Sequence, residues 1–162
     1  MFSNDIIQLA IEVLELARKN DFQIATAESC TGGLIIGALT EIAGSSDVVD
    51  RGFITYSNLA KQQAILVNAD TLNNFGAVSK ETALEMVQGA LDNSAASIAV
   101  SVTGIAGPGG GSNEKPVGLV HIAVQKMGQP PIHMEKRLGD IGRSAVREAT
   151  VIAALSLLKN VI

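Results

Sequence analysis

The sequence predicts an α/β fold with a mixed central sheet. Helical and strand-like segments alternate along all 162 residues, with no internal repeat and no Pro- or Ser-rich linker, so one domain spans 1–162. A helical stretch follows each of the first two strand segments, as parallel neighbours require. Two later segments, near residues 120 and 134, are joined only by a short stretch with Gly128 and Pro130-Pro131, which reads as a hairpin. Hydrophobic residues make up 47% of the chain, enough to fill the core of one such domain.

The elements follow in order. Ile6, Ala10, Val13, Leu14 and Ala17 recur at helical spacing, with Ser3 or Asn4 as cap. Phe22 to Ala25 is a short apolar strand after a turn at Asp21. Leu34 to Ile42 is a buried helix that ends near Gly44, a residue suited to a left-handed terminus. Phe53 to Tyr56 is a second strand, and Ser57 and Asn58 open a short helix through Lys61. Asp70 caps a further turn through Leu72. Ser79 caps a helix whose apolar face is Ala83, Met86, Val87, Ala90 and Leu91. Ile98 to Val102 is a third strand. Val117 to Val124 and Ile132 to Leu138 supply the hairpin. Arg143 to about Asn160 is a last helix, whose apolar stretch from Val151 to Leu158 suggests a dimer or higher homo-oligomer that buries part of it.

Composition narrows the function. The net charge is -4, Trp is absent and aromatics are 3%, which argues against nucleic acid as a main partner. A single cysteine excludes an intramolecular disulfide and a cysteine-rich zinc site, and no spacing of His121 and His133 suggests metal ligation. The sequence shows neither a signal-peptide pattern nor an apolar run of membrane-spanning length, so the expected place is the cytoplasm.

Chemistry concentrates where the first strand turns into the buried helix, at Thr26-Ala27-Glu28-Ser29-Cys30-Thr31-Gly32-Gly33. Small polar residues and two glycines there allow close backbone approach. The free amides at the helix start suit an anion or an oxyanion. Ser29 and Cys30 stand at a nucleophile's position, or at that of a plain cap; Cys30 also fits as a small buried hydrophobe. The two histidines lie inside strands, as sheet-surface or partly buried residues, so a base for Ser29 falls to a lysine. Lys61 follows the second strand and faces the same rim if the strands are parallel. It serves as a base only if desolvated; otherwise it is a solvated helix lysine. Tyr56 is placed to relay a proton or to hydrogen-bond Lys61.

Thr103-Gly104 opens the loop with the highest glycine density, through Gly107, Gly109, Gly110 and Gly111. Its free amides suit an anionic group, yet it matches neither the P-loop nor the dinucleotide fingerprint. Arg143 and Arg147 share one helical face and sit in the first turns, where the macrodipole disfavours cations, so a bound anion or a pairing with Asp140 or Glu148 would compensate.

Several blocks, in order, resemble the CinA C-terminal domain family. They are Ala27-Glu28-Ser29-Cys30-Thr31-Gly32-Gly33, Gly44-Ser45-Ser46, Arg51 to Asn58 with Lys61, Gly76-Ala77-Val78-Ser79, Thr103 to Pro108 and Lys115-Pro116-Val117-Gly118. The resemblance implies a three-layer α/β/α sandwich. It implies an amidase that converts nicotinamide mononucleotide to the acid and ammonia, with no metal or other cofactor. Ser29 would be the nucleophile, Lys61 the base and Tyr56 an assistant. Cys30, Thr31, Gly32, Gly33, the glycine loop and an arginine would bind substrate. The stretch Gly139 to Arg143 is longer than the family's Gly-Asp-Arg. A nucleotide-binding regulatory domain without turnover, and a cysteine hydrolase acting through Cys30, are the other readings.

Overall fold

The computed structural model describes residues 2–162. The chain forms α1 (Asn4–Lys19), β1 (Ile24–Glu28), α2 (Leu34–Thr40), β2 (Val49–Ile54), α3 (Asn58–Ile65), α4 (Ala69–Phe75), α5 (Lys80–Asp92), β3 (Ile98–Gly104), β4 (Leu119–Lys126), β5 (Ile132–Arg137) and α6 (Arg143–Val161). The strand order is β2-β1-β3-β4-β5. The first three strands run parallel and the last two antiparallel, so the sheet is mixed and β4–β5 is the expected hairpin.

The period-2 alternation of strands assigns each residue to one of two faces. Ile98, Val100 and Val102, with Val120, Ile122 and Val124, pack under α1, α2 and α6. Ala25, Ala27, Ala99 and Ala123 face α3, α4 and α5. The result is a three-layer α/β/α sandwich with branched residues on one side of the sheet and small ones on the other. The small side lets α5 approach closely enough for Ser101 Oγ to donate to Ala83 O at 2.7 Å. Gly89 of α5 permits the next contact: a Cβ there would stand 1.9 Å from Ile65 O, at the end of α3.

Local chemistry explains most boundaries. Ser57 accepts from the Ala60 amide at 3.0 Å and Ser79 from the Thr82 amide at 3.1 Å, both as expected of caps. Asn68, not Asp70, caps α4, its Oδ1 accepting from the Asp70 amide at 2.9 Å. β1 runs to Glu28 rather than stopping at Ala25, because Thr26 and Glu28 are paired on both edges by β2 and β3. β2 begins at Val49 and ends at Ile54. Its start is disguised in sequence by the exposed ion pair Asp50–Arg51, which an edge strand tolerates. α6 buries Val151, Ala154, Leu155, Leu157 and Leu158 within its own chain, against the sheet and α1. The apolar length of this helix therefore needs no second copy to cover it.

Three parallel strands end at one rim. Ser29 follows β1, Thr55 and Tyr56 follow β2, and Gly104 ends β3. Such carboxyl ends are where open α/β sheets bind ligands.

Candidate active site

Lys61 is 1% exposed, although it sits on a helix with few buried positions. Its Nζ lies 3.0 Å from Ser29 Oγ and 2.8 Å from the Thr55 carbonyl oxygen. No carboxylate lies within ion-pair distance of it among the described residues. Burial therefore acts almost unopposed, and pushes the ammonium pKa down to about 8. The alternative of a solvated helix lysine is excluded.

Ser29 is itself buried, at 8% exposed, and its amide donates to Val102 O of β3 at 3.0 Å. Cys30 is also buried, and desolvation pushes its thiol up to about 11, helped by the Glu28 charge. The amides of Cys30 and Thr31 offset this only partly. At neutral pH the thiol is protonated, which removes the basis of a cysteine nucleophile.

The helix-start amides are not free. The Glu28 carboxylate is fully buried beneath them. Its Oε2 accepts from the Gly33 and Ile35 amides, each at 3.0 Å, and from Thr31 Oγ1 at 2.7 Å. Its Oε1 accepts from the Ile36 amide at 2.8 Å and from Thr26 Oγ1 at 3.2 Å. The anion expected at the start of α2 is thus a side chain of the motif itself. An oxyanion at Ser29 would have to use the amides of Cys30 and Thr31, which precede the helix. Gly32 and Gly33, at φ 60° and 96°, make the turn that brings these amides round Glu28.

A cleft of about 200 Å3 opens onto the pair, lined among others by Tyr56, Thr103, Gly104 and Arg143. Tyr56 does not reach Lys61 as expected; its hydroxyl accepts from Arg143 Nη2 at 3.0 Å. Arg143 Nη1 donates to Gly107 O at 3.1 Å, so this arginine ties the glycine loop to the tyrosine. Thr103 Oγ1 is committed to Ala77 O at 2.7 Å. A Cβ at Gly104 would stand 2.8 Å from Val120 Cγ2, so that glycine is required by packing. Gly109 and Gly110 do not line the cleft.

Arg147 also departs from expectation. Its Nε donates to Cys30 O at 3.1 Å and its Nη2 to Thr31 O at 2.7 Å, from the far side of the turn. It pairs with neither Asp140 nor Glu148, and it braces the motif rather than facing the cleft. His121 and His133 meet in the hairpin, Nδ1 to Nε2 at 3.0 Å, as partly buried sheet residues. Burial holds both imidazoles below the usual value. His121 borders a wider groove of about 620 Å3 that shares Val78 with the cleft. Ser79 is the hydroxyl residue among its lining, and that hydroxyl is committed to its cap.

Residues 6–162 match the model of the CinA C-terminal domain family. This chain belongs to that family. A crystal structure of the competence/damage inducible protein CihA from Agrobacterium tumefaciens is 57% identical, with a TM-score of 0.96 over 98% of this chain and 96% of that one. A CinA superfamily protein from Escherichia coli is 28% identical, with a TM-score of 0.93 over 100% of this chain and 94% of that one. A CinA-like protein of Syntrophobacter fumaroxidans is 47% identical over 91% of this chain but only 34% of its own length. The chain spans about a third of the length of the curated relatives it matches. The CinA domain thus places the Ser29 turn, Lys61, Tyr56 and Arg143 around one cleft. Among the described residues it has no cluster of three or more potential metal ligands and no helix long and apolar enough to cross a membrane.

Proposed function

We propose that this CinA domain is a serine amidohydrolase that converts nicotinamide mononucleotide to nicotinate mononucleotide and ammonia. The observation that carries the reading is the buried Lys61 amine, 3.0 Å from Ser29 Oγ and without a carboxylate partner. Lys61 donates one N–H to Thr55 O, which leaves the lone pair of the neutral amine available to Ser29. Ser29 Oγ–H gives its proton to that amine as the oxygen attacks the carboxamide carbon. The oxyanion forms beside the Cys30 and Thr31 amides. Lys61 then returns the proton to the departing nitrogen, and ammonia leaves. Water, deprotonated by the same amine, opens the acyl ester and restores Ser29. No step calls for a metal. Arg143, with its guanidinium at the cleft wall, is the group best placed for the phosphate, and Tyr56 orients it.

The nucleotide substrate rests on the family resemblance; the cleft supports the amide chemistry. Incubating the protein with nicotinamide mononucleotide and measuring ammonia tests the reading. Release that disappears in Ser29→Ala bears it out. Binding of the nucleotide by calorimetry without any release would replace it with a regulatory, nucleotide-sensing domain.

A further inference from the structure

We infer that Glu28 is a positioning residue for the Ser29–Lys61 pair, acting through both of its ends. The inference rests on the reading of Ser29 as nucleophile.

The side chain holds the nucleophile's turn. A carboxylate with no exposure and, among the described residues, no cation within ion-pair distance is costly unless each oxygen is well supplied with donors. Glu28 is supplied by two hydroxyls and three amides, from Thr26, Thr31, Gly33, Ile35 and Ile36. An ordinary cap would satisfy one or two amides of α2 and could be neutral. This acid instead gathers donors from both sides of Ser29, from within β1 to the first turn of α2. The loop between has no freedom to carry Ser29 elsewhere. Arg147 takes the outward carbonyls of the same turn, at Cys30 and Thr31, and completes the clamp.

The backbone of Glu28 holds the base. Glu28 O accepts from the Thr55 amide at 2.8 Å, and Thr55 O accepts from Lys61 Nζ at 2.8 Å. Lys61 Nζ reaches Ser29 Oγ at 3.0 Å, and Ser29 is the residue after Glu28. The contacts close a ring: Glu28, Thr55, Lys61, Ser29 and back to Glu28. Its geometry is fixed only while the Glu28 side chain keeps its own residue and the next in place.

Glu28→Gln tests this with almost no change of shape. Whichever way the amide turns, its NH2 faces a backbone N–H: Ile36 on one side, or Gly33 and Ile35 on the other. The turn must then shift, and displacement of a nucleophile by about 1 Å costs on the order of a hundredfold in rate. The expected result is kcat for nicotinamide mononucleotide lowered about a hundredfold, with KM within about threefold of the parent, because Tyr56, Gly104 and Arg143 on the rest of the cleft wall lie outside the shifted turn. Phosphonylation of Ser29 by a fluorophosphonate, followed by mass spectrometry, should slow by a similar factor. A variant that folds, by circular dichroism, and keeps the parental kcat and labelling rate overturns the inference. Should Glu28→Gln fail to fold, Thr31→Val removes one hydroxyl donor at constant volume. It is expected to lower kcat about tenfold with KM unchanged, and parental kcat there overturns the inference equally. Should the parent neither turn over nor label, the proposed reaction fails but the geometry remains open to test. Crystal structures of the parent and Thr31→Val then decide: a Ser29 Oγ–Lys61 Nζ separation unchanged in the variant overturns the positioning role.

Discussion

Ser29 Oγ and Lys61 Nζ stand 3.0 Å apart in a buried pocket where, among the described residues, the only other partner of the amine is a neutral carbonyl. The pair therefore has a definite pH dependence. With the lysine pKa near 8, about a tenth of the amine is neutral at pH 7 and nearly all above pH 9. The expected profile of kcat/KM rises with pH and levels off above about 8. Lys61→Arg should be inactive throughout, because guanidinium does not deprotonate. Measurable turnover in that variant would take the base role from Lys61.

The same pKa has a consequence for folding. Unfolded, the lysine holds its proton up to about 10.5; folded, it releases it near 8. Between these values the unfolded state binds more protons, so stability contributed by this group rises with pH across that window. Below pH 8 the buried ammonium costs about 3 kcal/mol, the equivalent of the interval between the two pKa values. Denaturation of the parent and Lys61→Met, compared from pH 7 to 10.5, should show the parent gaining on the variant as pH rises. Parallel curves would contradict the depressed pKa.

Ser29 and Cys30 are neighbours with opposite prospects. The thiol is held protonated, up to about 11, and the hydroxyl faces the amine. Ser29→Ala should abolish ammonia release while Cys30→Ala keeps most of it. The latter loses only a small buried side chain, at a stability cost of about 1 kcal/mol. Loss confined to Cys30→Ala would reverse the assignment.

Arg143 joins Gly107 to Tyr56 at the cleft wall. If it meets the phosphate, Arg143→Ala should reduce kcat/KM at least tenfold on the mononucleotide and much less on the riboside, since a charge-assisted contact contributes about 1.5–3 kcal/mol. An equal loss on both substrates would leave Arg143 a brace for the loop alone.

Gly89 lies far from the cleft in sequence but not in effect. A methyl there collides with Ile65 O, in the helix that carries Lys61. Gly89→Ala should destabilise the domain by more than about 2 kcal/mol in urea unfolding, because overpacking against backbone leaves nothing flexible to yield. A stability within experimental error of the parent would mean that α3 moves freely on α5.

The hairpin, the caps at Ser57 and Ser79 and the amphipathic faces of α1 and α5 were legible because each depends on a few adjacent residues. Ser29 and Lys61 were nominated by spacing and resemblance together, and the structure brings them into contact. Glu28 was not read as a site residue, since the first strand was expected to stop at Ala25 and left it in a loop. One signal was present: it is the only charge between Asp21 and Glu41, in a stretch that is otherwise apolar or small but for Gln23. Arg147 on Cys30 and Thr31, and Arg143 on Tyr56, join segments about ninety or more positions apart. No local pattern encodes such meetings.

The unequal faces of the sheet make the domain's tolerance to change lopsided. On the α6 side, the branched residues of β3 and β4 would report any truncation as a cavity. On the α5 side, Ala25, Ala27, Ala99 and Ala123 have nothing left to remove. An alanine scan would therefore register the helix side of that layer, at Ile65, Met86, Val87 and Leu91, and pass over the sheet surface against which α5 and α3 are pressed. Only substitutions that add volume, such as alanine to valine, would reveal how little room that side leaves for drift.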